Sequence, residues 1–565
     1  MGLINHHWSN LIQNLSPMNA LDWLIIALYL LFLLGIGAYL NLYQENTDDY
    51  FLAGQKMKWW QTGFSTMATQ LSAVSFISAP AFVAITEGGG LRWLAYEVSV
   101  PLALIVVMVV IIPVLHRGRY ISIQQYLSDR FDDKTRSLIS GLFLLMRAFA
   151  TGGIIVAGAE VLAATFAIDP IAAILVIGIV TIIYDVMGGI GVVIFSDVIQ
   201  MAIIVIGITV CGVVASEIMN WSPAAVMDAY NASSRGKILI FDQWGFNKGE
   251  NYGFWPWLFG GFFLYVAYYG CDQSQVQREM SVANEDDVRK SMLLNAFGRF
   301  PIVLLYCVVG LIIGAVFHTQ GPEVVQRVQQ FDTVAGLQRV LSENPDRMVP
   351  IFMKGFLPHG LIGLLFVAIM AALMSSLDSA INSLSAVTMQ DFYRAYVRSD
   401  EEERHYLNAG KAFTLFWGVF ITVMAVLMFQ SKGATTVIEL INQVGNMFYG
   451  PLSAVFLAGI LTTWIRSDGM FVGVICGMAT NAVVWQYTDW SWLWWSPIGF
   501  VVTTGTAGVI SLVNVIAANQ WERIRPLFRL EKGRHKTDWI PWYVLCVVYF
   551  FVIIGICAGI ESALT

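Results

Sequence analysis

The chain has 565 residues, of which 57% are hydrophobic and 13% are charged, and its formal net charge is −7. A soluble domain is usually about half apolar and a quarter charged, so this composition excludes one. The apolar residues form runs of about 20, the length of helix that crosses a bilayer core, whereas a membrane β-barrel would show short alternating segments. We therefore predict an all-α integral membrane protein that crosses the bilayer many times.

The cysteines and histidines give no support for an enzyme or a transition-metal protein. The six cysteines lie in or beside apolar segments without a C-x-x-C pair, which is typical of small buried residues. The seven histidines fall in loops or at the ends of spans, away from any nucleophile in a cavity. We predict that the chain is not an enzyme and has no organic cofactor. Its expected partners are a small-molecule substrate and the lipid bilayer, with no nucleic acid, and we expect a monomer.

About fourteen apolar segments are predicted to span the membrane, the first of which lacks the basic flank and cleavage site of a signal peptide. The loops on one side carry more than twice as many Lys and Arg as those on the other, which assigns that side to the cytoplasm. We therefore expect a multi-pass protein of the plasma (inner) membrane with both termini outside. The segments cover about 20–42, 58–84, 93–115, 137–165, 169–187, 190–216, 253–275, 292–318, 350–389, 409–430, 434–464, 468–487, 493–518 and 539–562.

The second predicted span, 58–84, carries more polar groups than a lipid-facing helix tolerates, and it also contains Pro80. Hydroxyls and a proline at membrane depth allow a local break that exposes backbone carbonyls. We predict that this span is interrupted. Its polar residues are Ser65, Thr66, Thr69, Gln70, Ser72, Ser75 and Ser78.

The ionisable residues inside later spans include Arg147, Asp197 and Arg299. Such residues by default face the bundle interior or a water-filled cavity and suggest a functional site. The alternatives are a structural ion pair or a side chain that reaches back to the interface. We favour a functional role for Arg147 and Asp197, and we leave both interpretations open for Arg299, which is nearer the inward end.

The span 253–275 contains "FGGFFLYVAYYGC", with Gly260, Gly261 and Gly270, and has no clean helical face. It is a second candidate for a broken helix, five spans after the first. Two interrupted spans in this relation indicate a transporter built from inverted repeats with its site near the midplane. Ordinary packing through small residues is the alternative. Farther along the chain, "EVVQRVQQFDTVAGLQRVL" is predicted to form a surface helix.

The span 350–389 changes from apolar to polar in "MAALMSSLDSAINS". Its hydroxyls recur at i, i+3 and i+4, so they share one broad helical face. Neutral oxygens with a nearby carboxylate suit a hard monovalent cation such as sodium. A lone Ser usually bonds only its own i−4 carbonyl, but a run of them facing another polar helix is harder to explain that way. The polar residues are Ser375, Ser376, Asp378, Ser379, Asn382 and Ser383.

Several motifs together resemble the sodium/solute symporter family, which includes sodium–sugar, sialic acid, proline, iodide and monocarboxylate/vitamin cotransporters. The resemblance implies one transporter domain, 1–565, that works by alternating access. It also implies a LeuT-like core of five plus five inverted helices over about 58–464, with flanking helices at about 20–42, 468–487, 493–518 and 539–562. The motifs are "DDYFLAG" followed by "WW", "STMATQLSAVSF", "VMGGIGVVIFSDVIQ", "YYGCDQSQVQR", "LMSSLDSAINSLSAVTMQDFY" and "GPLSAVFLAGI".

The resemblance also implies where sodium binds. The family's sodium site falls on the backbone carbonyls of Ala68, Leu71 and Ala372 and on the hydroxyls of Ser375 and Ser376. Some members hold a second sodium nearer the cytoplasm. Its candidate ligands here are Asp197, Ser376, Asp378 and Ser379, of which Asp378 is an added carboxylate that we expect to tune the site.

The substrate pocket implied by the resemblance departs from the sugar-binding pattern of the family. Two amide positions suited to sugar hydroxyls are lost, and a Lys becomes Arg299. Arg147 instead lies on the helix where sialic-acid-transporting relatives place an Arg against the substrate carboxylate, and a guanidinium fork fits a carboxylate. The predicted substrate-binding residues are Gln70, Ser75, Tyr96, Glu97, Arg147, Tyr265, Tyr268, Tyr269, Arg299 and Gln443.

The sequence therefore predicts a sodium-coupled symporter that imports a small polar solute, with an organic anion as first choice. A sugar or polyol follows, and then an amino acid or vitamin. A proton-coupled permease stays open because Asp197 and Asp378 could titrate. A sodium-linked sensor or channel-like permease is the other class of alternative.

Overall fold

The apolar runs fold as α-helices, because a helix satisfies its own backbone hydrogen bonds where no water is available. The computed structural model describes residues 18–564 except 71–72, 167, 231–233, 329–330, 431–436 and 514–536, and in addition the side chains of 73–74, 164–165, 234 and 437–444 are left out. Within these residues there is no β-strand, only one isolated bridge between Met57 and Val282.

The first half of the chain begins with a capped helix. The side chain of Asn19 accepts hydrogen bonds from the amides of Leu21 and Asp22, and Asp22 accepts one from the amide of Asn19 in return. The helices are α1 (Ala20–Asn41), α2 (Thr47–Leu52), α3 (Trp59–Gln70), α4 (Ala73–Ala84), α5 (Leu91–Gly118, with a 3₁₀ turn and a π stretch), α6 (Gln125–Arg130), α7 (Asp133–Phe166), α8 (Pro170–Ile218) and α9 (Pro223–Asp228).

The second half holds the remaining helices. The predicted surface helix is divided into α13 and α14. The helices are α10 (Gly261–Cys271, after a π turn at Pro256–Gly260), α11 (Gln273–Glu279), α12 (Glu285–Thr319), α13 (Gly321–Val328), α14 (Val334–Glu343), α15 (Met348–Phe356), α16 (Leu361–Val387, continued as a π stretch at Thr388–Val397), α17 (Glu403–Gln430), α18 (Val437–Leu461), α19 (Ser467–Tyr487), α20 (Trp495–Val513) and α21 (Ile540–Leu564).

The interruption predicted in span 58–84 is present, but Pro80 does not cause it. The segments Trp59–Gln70 and Ser75–Ala84 are bent by 51° with respect to each other, whereas Pro80 lies inside α4. Helix α3 is described as far as Gln70, whose carbonyl accepts a hydrogen bond from the hydroxyl of Ser75 at 3.2 Å.

The long helix α8 contains two of the predicted spans, because its backbone turns sharply at Gly189 (φ 56°, ψ −152°). This left-handed φ is accessible to glycine at little cost. A Cβ at this position would also lie 2.4 Å from the carbonyl oxygen of Tyr50, so no larger residue fits. Gly189 thus separates the half that carries Tyr184 from the half that carries Asp197.

The predicted break in span 253–275 exists at a different residue. The chain stays helical through the glycines and leaves the helix at Asp272 (φ −90°, ψ 119°), whose side chain caps α11 by accepting from the amide of Ser274. The glycines serve close packing instead, since a Cβ on Gly260 would lie 2.3 Å from the carbonyl oxygen of Leu493.

The prediction of one helix over 350–389 is wrong. Leu357 has an extended backbone (φ −98°, ψ 141°), because it precedes Pro358 and the proline ring disfavours a helical conformation there. The segment therefore divides into α15 and α16. The polar residues of interest all lie on α16, which is almost completely buried.

In the described part of the chain, ten helices are long and apolar enough to cross a membrane, and the α3–α4 pair adds an eleventh. The bend in α8, the shorter helix α10 with its π turn, and α18 account for the other predicted spans. The fourteen predicted spans therefore each coincide with a helix or a helix pair.

Candidate functional site

A cavity of about 160 Å³ lies where the broken helix α3–α4 meets α5, α7, α10, α12, α16 and α18. Its wall is mostly aromatic, and its charged groups are two arginines. Seven of the predicted substrate-binding residues line it: Gln70, Ser75, Tyr96, Arg147, Tyr265, Tyr268 and Arg299.

Arg299 on α12 is neutralised within the protein. Its guanidinium contacts both carboxylate oxygens of Glu97, with Nη2 at 3.0 Å from Oε1, and Nη2 also donates to the hydroxyl of Tyr265 at 2.9 Å. Tyr265 in turn donates to Glu97 at 3.2 Å and lies under the guanidinium. Glu97 is therefore occupied by Arg299 and Tyr265, and this pair joins α5, α10 and α12.

Arg147 on α7 is held more loosely. Its Nη1 lies 3.8 Å from Oδ2 of Asp272, which is beyond hydrogen-bond distance, and its Nε has no hydrogen-bond partner. The side chain of Arg147 is only 11% exposed and that of Asp272 is fully buried. The hydroxyl of Tyr268 is another polar neighbour of Arg147. A buried donor without a partner is costly, and an acceptor in the cavity would remove that cost.

The amide of Gln70 at the end of α3 is half satisfied. Its Oε1 accepts from the hydroxyl of Tyr269 at 3.1 Å, whereas its Nε2 has no partner. Tyr269 thus positions Gln70 from behind the wall. The hydroxyl of Ser75 bonds the carbonyl of Gln70 at 3.2 Å. The side chain of Gln443 lies outside the described residues.

Of the residues predicted for the first sodium site, Ser376 lines this cavity. Ala68, Ala372 and Ser375 are fully buried, and the hydroxyl of Ser376 donates to the carbonyl of Ala372 at 3.2 Å while it lines the cavity. Leu71 lies outside the described residues. The end of α3 and the polar turn of α16 are therefore brought together, as the sequence predicted, beside the cavity that would hold a substrate.

Two of the residues predicted for a second sodium site, Asp197 and Ser379, contact an arginine to which the sequence assigned no role. Arg278 on α11 reaches Oδ2 of Asp197 at 3.1 Å, and it also donates to Ser65 at 2.7 Å and to Ser379. The hydroxyl of Ser375 donates to the other oxygen of Asp197. A guanidinium therefore lies against the oxygens proposed for the second sodium, and it ties α3, α8, α11 and α16 together.

Asp378 faces away from this arginine toward the first half of α8. Its Oδ2 accepts from the hydroxyl of Tyr184 at 2.7 Å, and its Oδ1 accepts from Ser379 at 3.2 Å. The structure thus gives Asp378 a hydroxyl partner on the neighbouring helix.

Two groups of residues at the site are not found by sequence reasoning. Asp272 and Arg278 are visible only as letters of the motif "YYGCDQSQVQR", without a role of their own. The additional aromatic lining, Trp93, Tyr306 and Tyr449, carries no local pattern that separates it from ordinary core residues.

Chemically, this site can bind an acceptor-rich ligand beside a cluster of neutral oxygens. The oxygens of α3 and α16 suit a monovalent cation, and the incompletely bonded guanidinium of Arg147 suits an anion. Both positions open on the same cavity, so binding of one species changes the field felt by the other.

Comparisons with known proteins all point to one family of membrane transporters. The sodium:solute symporter family profile (SSF) matches residues 50–477. The sodium/sialic acid symporter NanT of Aliivibrio fischeri is 26% identical over 496 residues, which are 85% of this chain and 90% of NanT. The sodium-coupled monocarboxylate transporter 1 of Xenopus laevis is 27% identical over 474 residues, covering 83% of this chain and 72% of that protein. These matches confirm the resemblance drawn from the motifs.

A solved structure of a Na⁺-coupled sialic acid symporter in its substrate-bound outward-open state has the same fold. It superposes with a TM-score of 0.77 at 22% identity and covers 88% of this chain and 99% of that chain. The likeness confirms the predicted all-α, LeuT-like fold class. At this level of identity it is evidence for the fold alone.

Proposed function

Because this chain belongs to the sodium:solute symporter family, we propose that it imports a small organic anion bearing a carboxylate together with sodium, by alternating access. The chain is a multi-pass membrane symporter coupled to sodium, and it is not an enzyme. The proposal concerns the substrate class and the residues that bind substrate and ion.

The observation that carries the substrate class is the contrast between the two cavity arginines. The guanidinium of Arg299 is already paired with the carboxylate of Glu97, so the pair presents little net charge to the cavity. Arg147 keeps an unpartnered Nε and a long contact to Asp272. A carboxylate can accept from such a fork through charge-assisted bonds, which are roughly twice as strong as neutral ones. A neutral sugar or polyol offers the guanidinium neither an opposite charge nor a bidentate pair of oxygens, so we rank it second.

Sodium is proposed to bind between α3 and α16, through the carbonyls of Ala68, Leu71 and Ala372 and the hydroxyls of Ser375 and Ser376. One positive charge moving down about 100 mV releases roughly 2.3 kcal/mol before any concentration gradient is counted. An ion held between the two helices favours the state in which the substrate cavity is formed. By reciprocity, substrate raises the affinity for sodium by the same factor.

The second sodium site at Asp197, Ser376, Asp378 and Ser379 has less support than the first. Arg278 already supplies a positive charge to Asp197, and both oxygens of Asp378 accept hydroxyl protons. A second ion would have to displace the guanidinium from Asp197. We therefore propose one sodium ion per cycle at the first site.

The remaining proposals concern the placement of the chain. The Lys and Arg bias supports outward termini in the plasma (inner) membrane, and the proposed unit is a monomeric domain of 1–565 with an inverted-repeat core over about 58–464. Cysteines introduced at the exposed Ala20 and Ala563, probed with an impermeant thiol reagent on intact cells, test the orientation. Labelling that requires permeabilised cells would reverse it.

The experiment that tests the function is uptake into proteoliposomes at fixed pH, with sodium replaced by choline. We expect carboxylate uptake to require an inward sodium gradient. Uptake that persists in choline but follows a proton gradient would establish the proton-coupled alternative and contradict the proposal. Ion-dependent binding without any net uptake would favour the sensor alternative.

A further inference from the structure

The cavity contains an imbalance between donors and acceptors that bears on the substrate. Among the described side chains that line it, the buried atoms left without a hydrogen-bond partner are Nε of Arg147 and Nε2 of Gln70, and both are donors. No fully buried acceptor among these lining side chains is left without a partner. A ligand that only accepts satisfies this wall, whereas a ligand hydroxyl or ammonium would need an acceptor as well.

The acceptors that could have served a polyol are already used inside the protein. Glu97 is occupied by Arg299 and Tyr265, and Oε1 of Gln70 is occupied by Tyr269. The hydroxyl of Ser75 has its proton engaged by a backbone carbonyl of α3. A ligand with many hydroxyls would therefore find few charged or amide acceptors, and several of its hydroxyls would be desolvated without full compensation.

Aromatic rings form the rest of the wall. Six of the lining residues are aromatic, with Tyr96 packed against Trp93 at 5.5 Å and against Tyr265 at 5.1 Å between ring centroids. The indole N–H of Trp93 is already bonded, since it donates to the hydroxyl of Tyr306. Flat surfaces with internally bonded polar groups favour a flat, apolar body through offset stacking.

The size of the cavity limits that body. Its volume is about 160 Å³, and an apolar protein cavity of roughly 150 Å³ is large enough to bind benzene. A single six-membered ring with one small substituent is therefore of the right size to fill it.

We propose that the substrate is a small aromatic monocarboxylate, with its carboxylate at Arg147 and Gln70 and its ring between the aromatic walls. This inference rests on the proposed function, because it narrows the organic anion to one class. It makes Gln70 and Arg147 specificity-determining residues and predicts that hydroxylated acids bind poorly.

The test measures thermal stabilisation of the purified, detergent-solubilised protein in sodium, with benzoate, gluconate, N-acetylneuraminate and benzyl alcohol as probes. We expect benzoate to bind at least tenfold more tightly than the two hydroxylated acids, and benzyl alcohol to give no sodium-dependent shift. Tighter binding of gluconate or N-acetylneuraminate would overturn this inference and leave the anion proposal intact. Failure of all three acids would contradict both, and a benzyl alcohol shift equal to that of benzoate would remove the carboxylate anchor.

A pair of identical substitutions tests the apolar wall. Met146 lines the cavity, whereas Met478 on α19 lies outside it. We expect Met146→Gln to weaken benzoate binding at least fivefold and Met478→Gln to leave it unchanged. An unchanged affinity in Met146→Gln would overturn the placement of the ring, and the wild-type probe series remains a test if that variant does not fold.

Discussion

Two buried arginines use the same guanidinium group in opposite ways. Arg147 lines the cavity, whereas Arg278 lies in the cluster with Asp197. Arg278 bonds Asp197, Ser65 and Ser379 and is completely buried. Arg147 has one distant carboxylate and an Nε without a partner.

The difference separates stability from recognition. A guanidinium that is fully bonded by the protein holds helices together and has nothing left to offer a ligand. A guanidinium with an unused donor carries a local cost that a bound anion can remove, as expected of functional sites. Charge at membrane depth is therefore a poor guide to function until the partners are known.

Removal of the Arg278 guanidinium should have the largest effect on stability. Arg278→Met leaves Asp197 buried without its cation, and breaking a buried pair costs about 3–5 kcal/mol. We expect a marked loss of thermal stability in detergent, measured as a lower unfolding temperature. The double variant Arg278→Met/Asp197→Asn should regain part of the loss, because it no longer buries an unpaired charge. Equal unfolding temperatures for Arg278→Met and wild type would contradict the structural role.

Shortening the cavity arginine should affect binding more than stability. Arg147→Lys keeps the charge but loses the fork, and hydrogen bonds to charged groups contribute about 1.5–3 kcal/mol. We expect the substrate concentration for half-maximal uptake to rise by about ten- to a hundredfold, with little change in unfolding temperature. The same substitution at Arg299, which is bonded to Glu97, should lower stability instead. If Arg147→Lys has wild-type uptake kinetics, Arg147 does not bind the substrate.

The sequence was informative where a pattern has only one physical solution. The polar run on α16 and the hydroxyl-rich α3 could be predicted to face each other, because neither could face lipid. Arg147 was singled out by its depth, and the structure places it in the wall of the cavity. The sequence could also place a bend near Gly189, since two apolar spans follow each other there without a loop.

The sequence was less informative about pairing across the bundle. The choice of Arg278 as partner of Asp197 depends on the turn at Asp272, which redirects α11 by a single non-helical residue. The glycines of α10 resembled a break and proved to be packing positions, a distinction that depends on the neighbouring carbonyl of Leu493. These features arise from tertiary contacts and leave no local periodicity.

A hydroxyl of the proposed sodium site offers a sharper comparison within one helix. Ser376 lines the cavity, whereas Ser383, two turns along α16, bonds the carbonyl of Ala380. Ser376→Ala removes one proposed sodium ligand, so we expect the sodium concentration for half-maximal uptake to rise by about tenfold, an order of magnitude that corresponds to one hydrogen bond to a charged group. Ser383→Ala should leave that concentration unchanged. An unaltered sodium activation curve in Ser376→Ala would exclude its hydroxyl from the site.

The neighbour of Arg278 offers a comparison that depends on pH. Glu279 lies beyond the inward end of predicted span 253–275 and is fully buried. It accepts from Thr66 on α3 at 2.7 Å and from Ser291 on α12 at 2.9 Å, while its Oε2 has no partner. Burial raises the pKa of the Glu279 carboxyl to about 7, because Arg278 is directed toward Asp197 and compensates only in part.

The folded protein therefore holds a proton on Glu279 that the unfolded chain releases at a lower pH. Its contribution to stability is complete below the unfolded pKa of about 4.3 and is lost as the pH rises through about 7. The unfolding free energy should fall between these values by at most about 1.4 kcal/mol per pH unit, the slope of one proton. Glu279→Gln should flatten this slope in thermal unfolding scans at stepped pH, whereas the exposed Glu343→Gln should not. If Glu279→Gln retains the wild-type slope, the proton on Glu279 does not stabilise the contact between α3 and α12.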